Sequence, residues 1–219
     1  MGLEAAHTVL DVGSGTGILT APFLQRGHPV IAVEPNGAMR ASAEEAFGGN
    51  PRFTSVEGTA EDTGLAADVA DFVVAGQAFH WFEPHRAATE LRRVLRPGGW
   101  AVVVWNHRKT VGSPLWEAFE SFRLEWGADY SAIARRYAEP SALGAFFKQG
   151  TYQERALANE QRLDREGLRA RMESTSYLPG PGQSNHEAMI VALDALFDEH
   201  QDGGSVRIEY DTLVFWGHL

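Results

Sequence analysis

The stretch VLDVGSGTGILT, residues 9–20, places three glycines within five residues directly behind a run of aliphatic side chains. A buried strand, a glycine-rich turn and a helical segment in this order are typical of the start of an open parallel sheet. Each glycine costs conformational entropy relative to alanine, so Gly13, Gly15 and Gly17 indicate a turn with special backbone demands. The turn could hold a nucleotide cofactor, a bare phosphate or nothing.

Aliphatic runs and helical segments alternate through the first half of the chain. After the first strand at 7–12, further strands are predicted at 29–34, 52–58, 69–76 and 100–106. Helices are predicted at 17–27, 36–48 and 83–99, the first ended by Gly27 and the last stopped by Pro97 and a glycine pair. Apolar strands that alternate with helices indicate a parallel sheet covered on both faces, and therefore a doubly wound α/β domain.

The pattern changes after Asn106. A helix at 113–126 carries a stripe of apolar side chains, which we interpret as the core of a lid, with a substrate cage as the alternative: Leu115, Trp116, Phe119, Phe122 and Trp126. A sixth strand is predicted within 146–164, a helix at 164–175, a loop at 176–183 and a closing strand at 206–219. The amphipathic helix at 184–204 is predicted to start with a capping box of Ser184 and Glu187. Arg135 and Arg136 are expected at the surface, with contact to a substrate carboxylate as the alternative.

Composition excludes several classes of function. The net charge of -10 argues against nucleic acid as a partner. The chain has no cysteine, and its eight histidines lack metal-ligand spacing, so we predict no metal site. It shows no signal peptide and no apolar run long enough to span a bilayer, which predicts a cytoplasmic protein without a membrane partner.

The spacing of the turn and two nearby carboxylates indicate which ligand it holds. The glycines follow G-x-G-x-G, whereas a dinucleotide fingerprint is G-x-G-x-x-G, and no P-loop sequence is present. Asp11, two residues before the first glycine, would repel a phosphate but would suit an ammonium group. Glu34 ends the second strand about 20 residues after the turn, where an acidic side chain accepts hydrogen bonds from ribose hydroxyls.

These motifs resemble those of the class I S-adenosylmethionine-dependent methyltransferases, in particular the small-molecule branch with the trans-aconitate methyltransferase-like proteins. The resemblance rests on VLDVGSGTG, VEPNGAM, EGTAEDTGL, AGQAFHWF and VLRPGGWAVVVW, which occur in the family's order and spacing. It implies a Rossmann-like, doubly wound, mostly parallel seven-stranded sheet with an antiparallel C-terminal strand and a helical lid insertion. The single domain, 1–219, would comprise a cofactor-binding half at 1–106, a helical substrate or lid region at 107–205 and the closing strand at 206–219.

The resemblance also implies roles for single residues. Asp11 and the glycine turn would hold the methionine portion of the cofactor, Glu34 the ribose and Met39 the adenine. Ala60 and Glu61 would border the adenine edge, next to Thr59, where many relatives have aspartate. Gln77 and Ala78 would line the approach to the methyl group, and His80 is the candidate catalytic residue. The full set of implied cofactor-binding residues is Asp11, Gly13, Ser14, Gly15, Gly17, Glu34, Pro35, Met39, Ala60, Glu61, Gln77 and Ala78.

The predicted function is methyl transfer from S-adenosylmethionine, with S-adenosylhomocysteine as product, to a small-molecule acceptor by a monomer or homodimer. The acceptor atom stays open between oxygen, nitrogen and carbon, with a carboxylate among the candidates. An NAD-dependent oxidoreductase and a non-catalytic cofactor-binding or regulatory protein are the alternatives. Relatives usually carry a helical arm before the first strand, whereas seven residues precede it here. We therefore expect either a more open cofactor site or a trimmed form of the chain.

Overall fold

A computed structural model describes residues 2–128, 130, 140–175 and 177–219. The chain divides into two compact units. The first unit comprises Met1–Trp105, Glu139–Arg155 and Leu213–Leu219, and the second unit comprises Asn106–Ala138 and Ala156–Thr212. Arg135 and Arg136 lie outside the described residues, so their expected roles stay predictions.

Seven strands form a single sheet in the order β3-β2-β1-β4-β5-β7-β6. The strands are β1 Val9–Val12, β2 Val30–Val33, β3 Phe53–Val56, β4 Ala70–Gly76, β5 Leu95–Arg108, β6 Gln153–Leu163 and β7 Val206–Gly217. The pairs β3–β2, β2–β1, β1–β4 and β4–β5 are parallel, and the C-terminal strands are antiparallel. The predicted doubly wound, seven-stranded fold is therefore confirmed, including the sixth strand within 146–164.

Helices connect the strands in the described residues. They are α1 Thr20–Gln25, α2 Gly37–Phe47, α3 Pro84–Val94, α4 Pro114–Trp126, α5 Pro140–Phe146, α6 Arg165–Glu173 and α7 His186–His200. None of the helices that the structure describes is long and apolar enough to cross a membrane.

Each unit has its own apolar core. In the first unit the central strand β1 is buried along its whole length, as expected for a parallel strand covered on both faces. In the second unit Phe119 and Phe122 of α4 are buried against α6, α7 and β7, with Leu115 and Trp126 packed on the same cluster. The interpretation of this stripe as core is therefore confirmed for these four residues.

The first and third helices are shorter than predicted. Helix α1 begins at Thr20 rather than Gly17, because the left-handed backbone of the glycine turn is incompatible with an α-helix. Helix α3 ends at Val94 rather than near the glycine pair. Leu95 directly after the helix already pairs with Ala70 of β4. The register then shifts at a β-bulge, and the next pair along the two strands is Phe72 with Trp100. The chain leaves the helix early because Pro97 disfavours helical backbone in the residue before it.

The start of α7 differs from the prediction. The capping box of Ser184 and Glu187 is wrong: the helix begins at His186, and its N-cap residue Asn185 makes no side-chain capping bond. The N–H of His186 instead donates to the carbonyl of Gln183, so a turn that precedes the helix satisfies the first amide.

Candidate functional site

The glycine turn between β1 and α1 requires glycine for two reasons. Gly13, Gly15 and Gly17 have φ values of 67°, 58° and 86°, in the left-handed region that glycine adopts readily. A Cβ on Gly13 would lie 2.5 Å from the Cβ of Ala78, and one on Gly17 would lie 2.5 Å from the ring of Phe47. The turn is therefore held close to the segment that follows β4 and to α2.

Most amide groups of this turn are already bonded within the protein. The N–H groups of Gly13 and Ser14 donate to the carbonyl of Val33, at 2.8 and 3.2 Å, and that of Gly17 donates to the carbonyl of Ser14. These three N–H groups are therefore not free to bind a ligand. The turn thus offers a ligand a close-fitting backbone surface, and these amides do not form a phosphate-binding site.

Glu34 joins the turn to the second strand. It directly follows β2, whose parallel register with β1 brings it beside the glycines, and it is 7% exposed. One carboxylate oxygen accepts the N–H of Gly15 at 2.9 Å, and the other accepts the N–H of Asn36 at 2.8 Å. A carboxylate has about four acceptor positions, so Glu34 retains capacity for hydroxyl donors.

Asp11 lies in the middle of the sheet, between β2 and β4, and is completely buried. Its Oδ2 atom accepts the hydroxyl of Thr20 at 2.7 Å, whereas Oδ1 has no hydrogen-bond partner among the described residues. Burial, opposed by the Thr20 hydrogen bond and supported by the charge of Glu34, raises the pKa of Asp11 to about 7. A buried acceptor without a donor indicates a place where a ligand donor would be stabilising.

The residues predicted to hold an adenosine group lie around the start of α2. The side chain of Asn36 caps this helix by accepting the N–H groups of Ala38 and Met39. Met39 is 46% exposed, with its sulfur 3.9 Å from where a Cβ on Gly15 would lie. A cavity of about 350 Å³ is present beside Glu34, and its lining residues are Pro35, Glu57, Gly58, Thr59, Asp62 and Gly64. This volume falls in the range of small-molecule sites.

Ala60 and Glu61 occupy the loop between β3 and β4. Ala60 is buried, and a carboxylate oxygen of Glu61 accepts the N–H of Glu83 at 2.7 Å. The hydroxyl of Thr59 accepts the N–H of Asp62, so it stabilises the loop that borders the cavity. Glu61 therefore fastens this loop to the start of α3.

The end of β4 holds the remaining predicted residues. Gln77 is exposed, has a φ of 58° and donates its N–H to the carbonyl of Val104. A non-glycine residue in this left-handed region is uncommon and is often found at functional sites. Ala78 is buried against Gly13. His80 follows in a single 3₁₀ turn, where its ring stacks on Trp105 at 6.4 Å and contacts Trp81 at 4.7 Å between centroids.

The structure thus brings Glu34 into direct contact with the glycine turn and places Asp11 close enough to Glu34 for their charges to interact. Sequence reasoning missed Thr20, the partner of Asp11, and Asn36, which bonds both Glu34 and the start of α2. The placement of Asn36 before a helix is a recognisable capping signal. Thr20 carries no such signal, because its contact depends on how α1 packs on the sheet.

Comparisons with known proteins agree with this geometry. Residues 10–103 match the family model described as "Methyltransferase domain". An uncharacterized methyltransferase of Mycobacterium bovis is 38% identical over 136 residues, which are 62% of this chain and 50% of the relative. The chain thus spans about half the length of this relative.

Solved structures share the fold. A candidate type II methyltransferase from Anaeromyxobacter dehalogenans has a TM-score of 0.65 and 25% identity, over 96% of this chain and 89% of the other. A geranyl diphosphate methyltransferase in complex with S-adenosylmethionine has a TM-score of 0.51 and 15% identity, over 99% and 79% of the two chains, and shows similarity of fold alone. Residues 10–103 thus match a methyltransferase domain, and the seven-stranded sheet has the Rossmann-like fold of the class I methyltransferases.

Proposed function

We propose that this chain binds S-adenosylmethionine at the glycine turn and transfers its methyl group to a small-molecule acceptor. The observation that carries the proposal is the Oδ1 atom of Asp11, a fully buried carboxylate oxygen that no described residue supplies with a hydrogen-bond donor, next to a turn bonded to Glu34. A protein without a ligand here gains nothing from such a group, because a buried unsatisfied acceptor costs about 1–3 kcal/mol.

The residues present fit this cofactor. Asp11 would face its ammonium group, and the spare acceptor positions of Glu34 would receive the ribose hydroxyls. The adenine ring would pack against Met39 in the cavity that Pro35 helps to line. Ala60 and Glu61 would position the loop that borders this cavity. Ser14 and the three glycines would form the backbone surface against which the methionine portion lies. Gln77 and Ala78 would line the approach to the reacting methyl group.

Bound S-adenosylmethionine supplies an electrophilic methyl group on a sulfonium. The protein therefore has mainly to orient the acceptor and to exclude water. A general base is needed only for an acceptor hydroxyl or a protonated amine, and His80 is our candidate for that task. A cytoplasmic location and a monomeric or homodimeric state stay predictions.

Titration with S-adenosylmethionine followed by a labelled-methyl screen of small metabolites tests the proposal. Binding together with transfer to a metabolite supports it. Tight cofactor binding without transfer to any acceptor would favour a non-catalytic binding or regulatory protein. Stronger thermal stabilisation by NAD than by S-adenosylhomocysteine would favour an oxidoreductase.

Glu34→Gln is expected to weaken S-adenosylmethionine binding at least tenfold. The variant places an amide NH₂ against the N–H of Gly15 or of Asn36, so a donor faces a donor, and the charge that receives the ribose hydroxyls is lost. Calorimetric titration measures the change. Glu44→Gln, an exposed carboxylate on α2 that bonds the Ser55 hydroxyl, is the matched control and should leave the affinity unaltered. Equal affinities in the two variants would remove Glu34 from the site.

His80→Gln is expected to slow methyl transfer to a hydroxyl or amine acceptor at least tenfold without changing cofactor affinity. General bases contribute about 10²–10⁴-fold to such reactions. Single-turnover rates at saturating cofactor, with the acceptor from the metabolite screen, measure the effect. His85→Gln, at an exposed position on α3, is the matched control. An unchanged rate with a hydroxyl acceptor would show that His80 is a packing residue.

A further inference from the structure

The second unit contains a buried cation that the proposed function does not use. Arg123, on α4, is 4% exposed. Its Nη1 atom donates to the carbonyl of Phe119 at 3.1 Å, and its guanidinium lies 5.4 Å from the centre of the Phe119 ring. The Nε atom is buried and has no hydrogen-bond partner among the described residues.

A second guanidinium lies in the same region. Arg108, at the end of β5, is partly buried, and its Nη2 atom donates to the hydroxyl of Tyr177 at 3.4 Å. Tyr177 stacks on Tyr130 at 5.1 Å between ring centroids. A Cβ on Gly127 would lie 2.5 Å from the backbone oxygen of Arg123 and 3.0 Å from both Tyr130 and Tyr177. The backbone of Arg123 and the two tyrosines therefore lie close together around Gly127.

Within the described part of the chain, no carboxylate forms an ion pair with either arginine. The nearby carboxylate of Glu120 instead accepts the hydroxyl of Tyr130 at 2.8 Å. Burial, supported by repulsion from Arg108, lowers the pKa of Arg123 to about 10, so the side chain is still a cation at neutral pH.

Two partly exposed arginines elsewhere in this unit do have carboxylate partners. Arg165 and Arg169 on α6 are both paired with Asp194 of α7. The chain carries 29 acidic against 19 basic side chains, yet no described carboxylate forms an ion pair with the buried Arg123 or the partly buried Arg108. A buried charge without a counter-ion is strongly unfavourable, because burial removes its hydration and nothing replaces it.

We propose that Arg108 and Arg123 form a binding site for the carboxylate of a small organic acid. The planar guanidinium fork matches a planar carboxylate, and the unbonded Nε–H of Arg123 supplies a donor. The rings of Phe119, Tyr130 and Tyr177 suit the apolar body of an organic acid better than a fully hydrated inorganic phosphate. Arg108 and Tyr177 are both partly exposed, and an acid would approach the buried Arg123 past these two side chains. This site requires neither the cofactor nor the methyl transfer proposed above.

The test is calorimetric titration of the whole chain, without S-adenosylmethionine, with acetate, benzoate and phenylacetate. The matching amides serve as neutral probes of the same shape, and inorganic phosphate serves as a competing anion. We expect at least one of the acids to bind at least tenfold more tightly than its amide and than phosphate. Arg123→Met and Arg108→Met should each weaken that binding at least tenfold. Arg162→Met removes an exposed arginine of β6 and should leave it unchanged.

A second measurement separates loss of the site from loss of the fold. Arg123→Met is expected to unfold at the same temperature as the unaltered protein or a higher one, because a buried cation that has no ion-pair partner among the described residues is replaced by an apolar side chain of similar length. If this variant does not fold, Arg108→Met at the partly exposed position gives the same binding test. The proposal is overturned if none of the acids binds up to 20 mM, if amides or phosphate bind equally well, or if both methionine variants bind the acid normally.

Discussion

Replacing Asp11 by asparagine is expected to remove a large pH dependence of stability. Burial raises the pKa of Asp11 to about 7, so the folded protein holds this proton more tightly than the unfolded chain does. Ionisation of Asp11 therefore lowers the stability of the unaltered protein as the pH rises from about 4 to about 7. The free energy of unfolding of Asp11→Asn, relative to the unaltered protein, should rise by about 2 kcal/mol between pH 5 and pH 7 and level off above pH 7.

Urea unfolding at half-unit pH steps measures this difference. Glu44→Gln, which neutralises an exposed carboxylate, is the control and should show a far smaller trend. The same Asp11→Asn protein should bind S-adenosylmethionine at least tenfold more weakly at pH 8, because the charge that faces the ammonium group is gone. A variant that is relatively more stable at high pH yet binds less cofactor cannot be explained by misfolding. A flat stability difference would show that Asp11 ionises without a burial cost.

Gly13→Ala is expected to destabilise the first unit by about 3 kcal/mol. An alanine in the left-handed region costs roughly 1–2 kcal/mol, and the new methyl group would lie 2.5 Å from the Cβ of Ala78, an overpacking that costs about 1–3 kcal/mol. Denaturant unfolding measures the loss.

Two variants divide this loss into its parts. Gly27→Ala has a similar φ of 82° with no atom within 4 Å, so it should show the backbone cost alone, about 1 kcal/mol. Ala78→Gly in the Gly13→Ala background removes the clash partner, and the double-mutant cycle should report a coupling of at least 1 kcal/mol. Additive effects would mean that Gly13 and Ala78 are not in contact.

Much of the fold could be predicted, because a parallel strand is recognisable in the sequence as a short run of apolar residues. Val9–Val12 and the strands after it are continuous apolar runs between helices, and burial on both faces produces that pattern directly. The ends of α1 and α3 could not be predicted to the residue. At Gly17 and at Leu95, strand pairing and turn geometry compete with helix propensity, and the outcome depends on neighbours that are distant in sequence.

The candidate site divides in the same way. The amino-acid sequence by itself determined that Asp11, a G-x-G-x-G turn and Glu34 stand at the spacing of a cofactor site, because strand length and turn chemistry are local properties. Only the tertiary structure decided that Glu34 bonds Gly15, that one oxygen of Asp11 is buried with no donor from the part of the chain that is described, and that Arg108 and Arg123 approach the same two tyrosines. Burial and hydrogen-bond satisfaction belong to side chains brought together from separate elements, and the pattern along one element does not contain them.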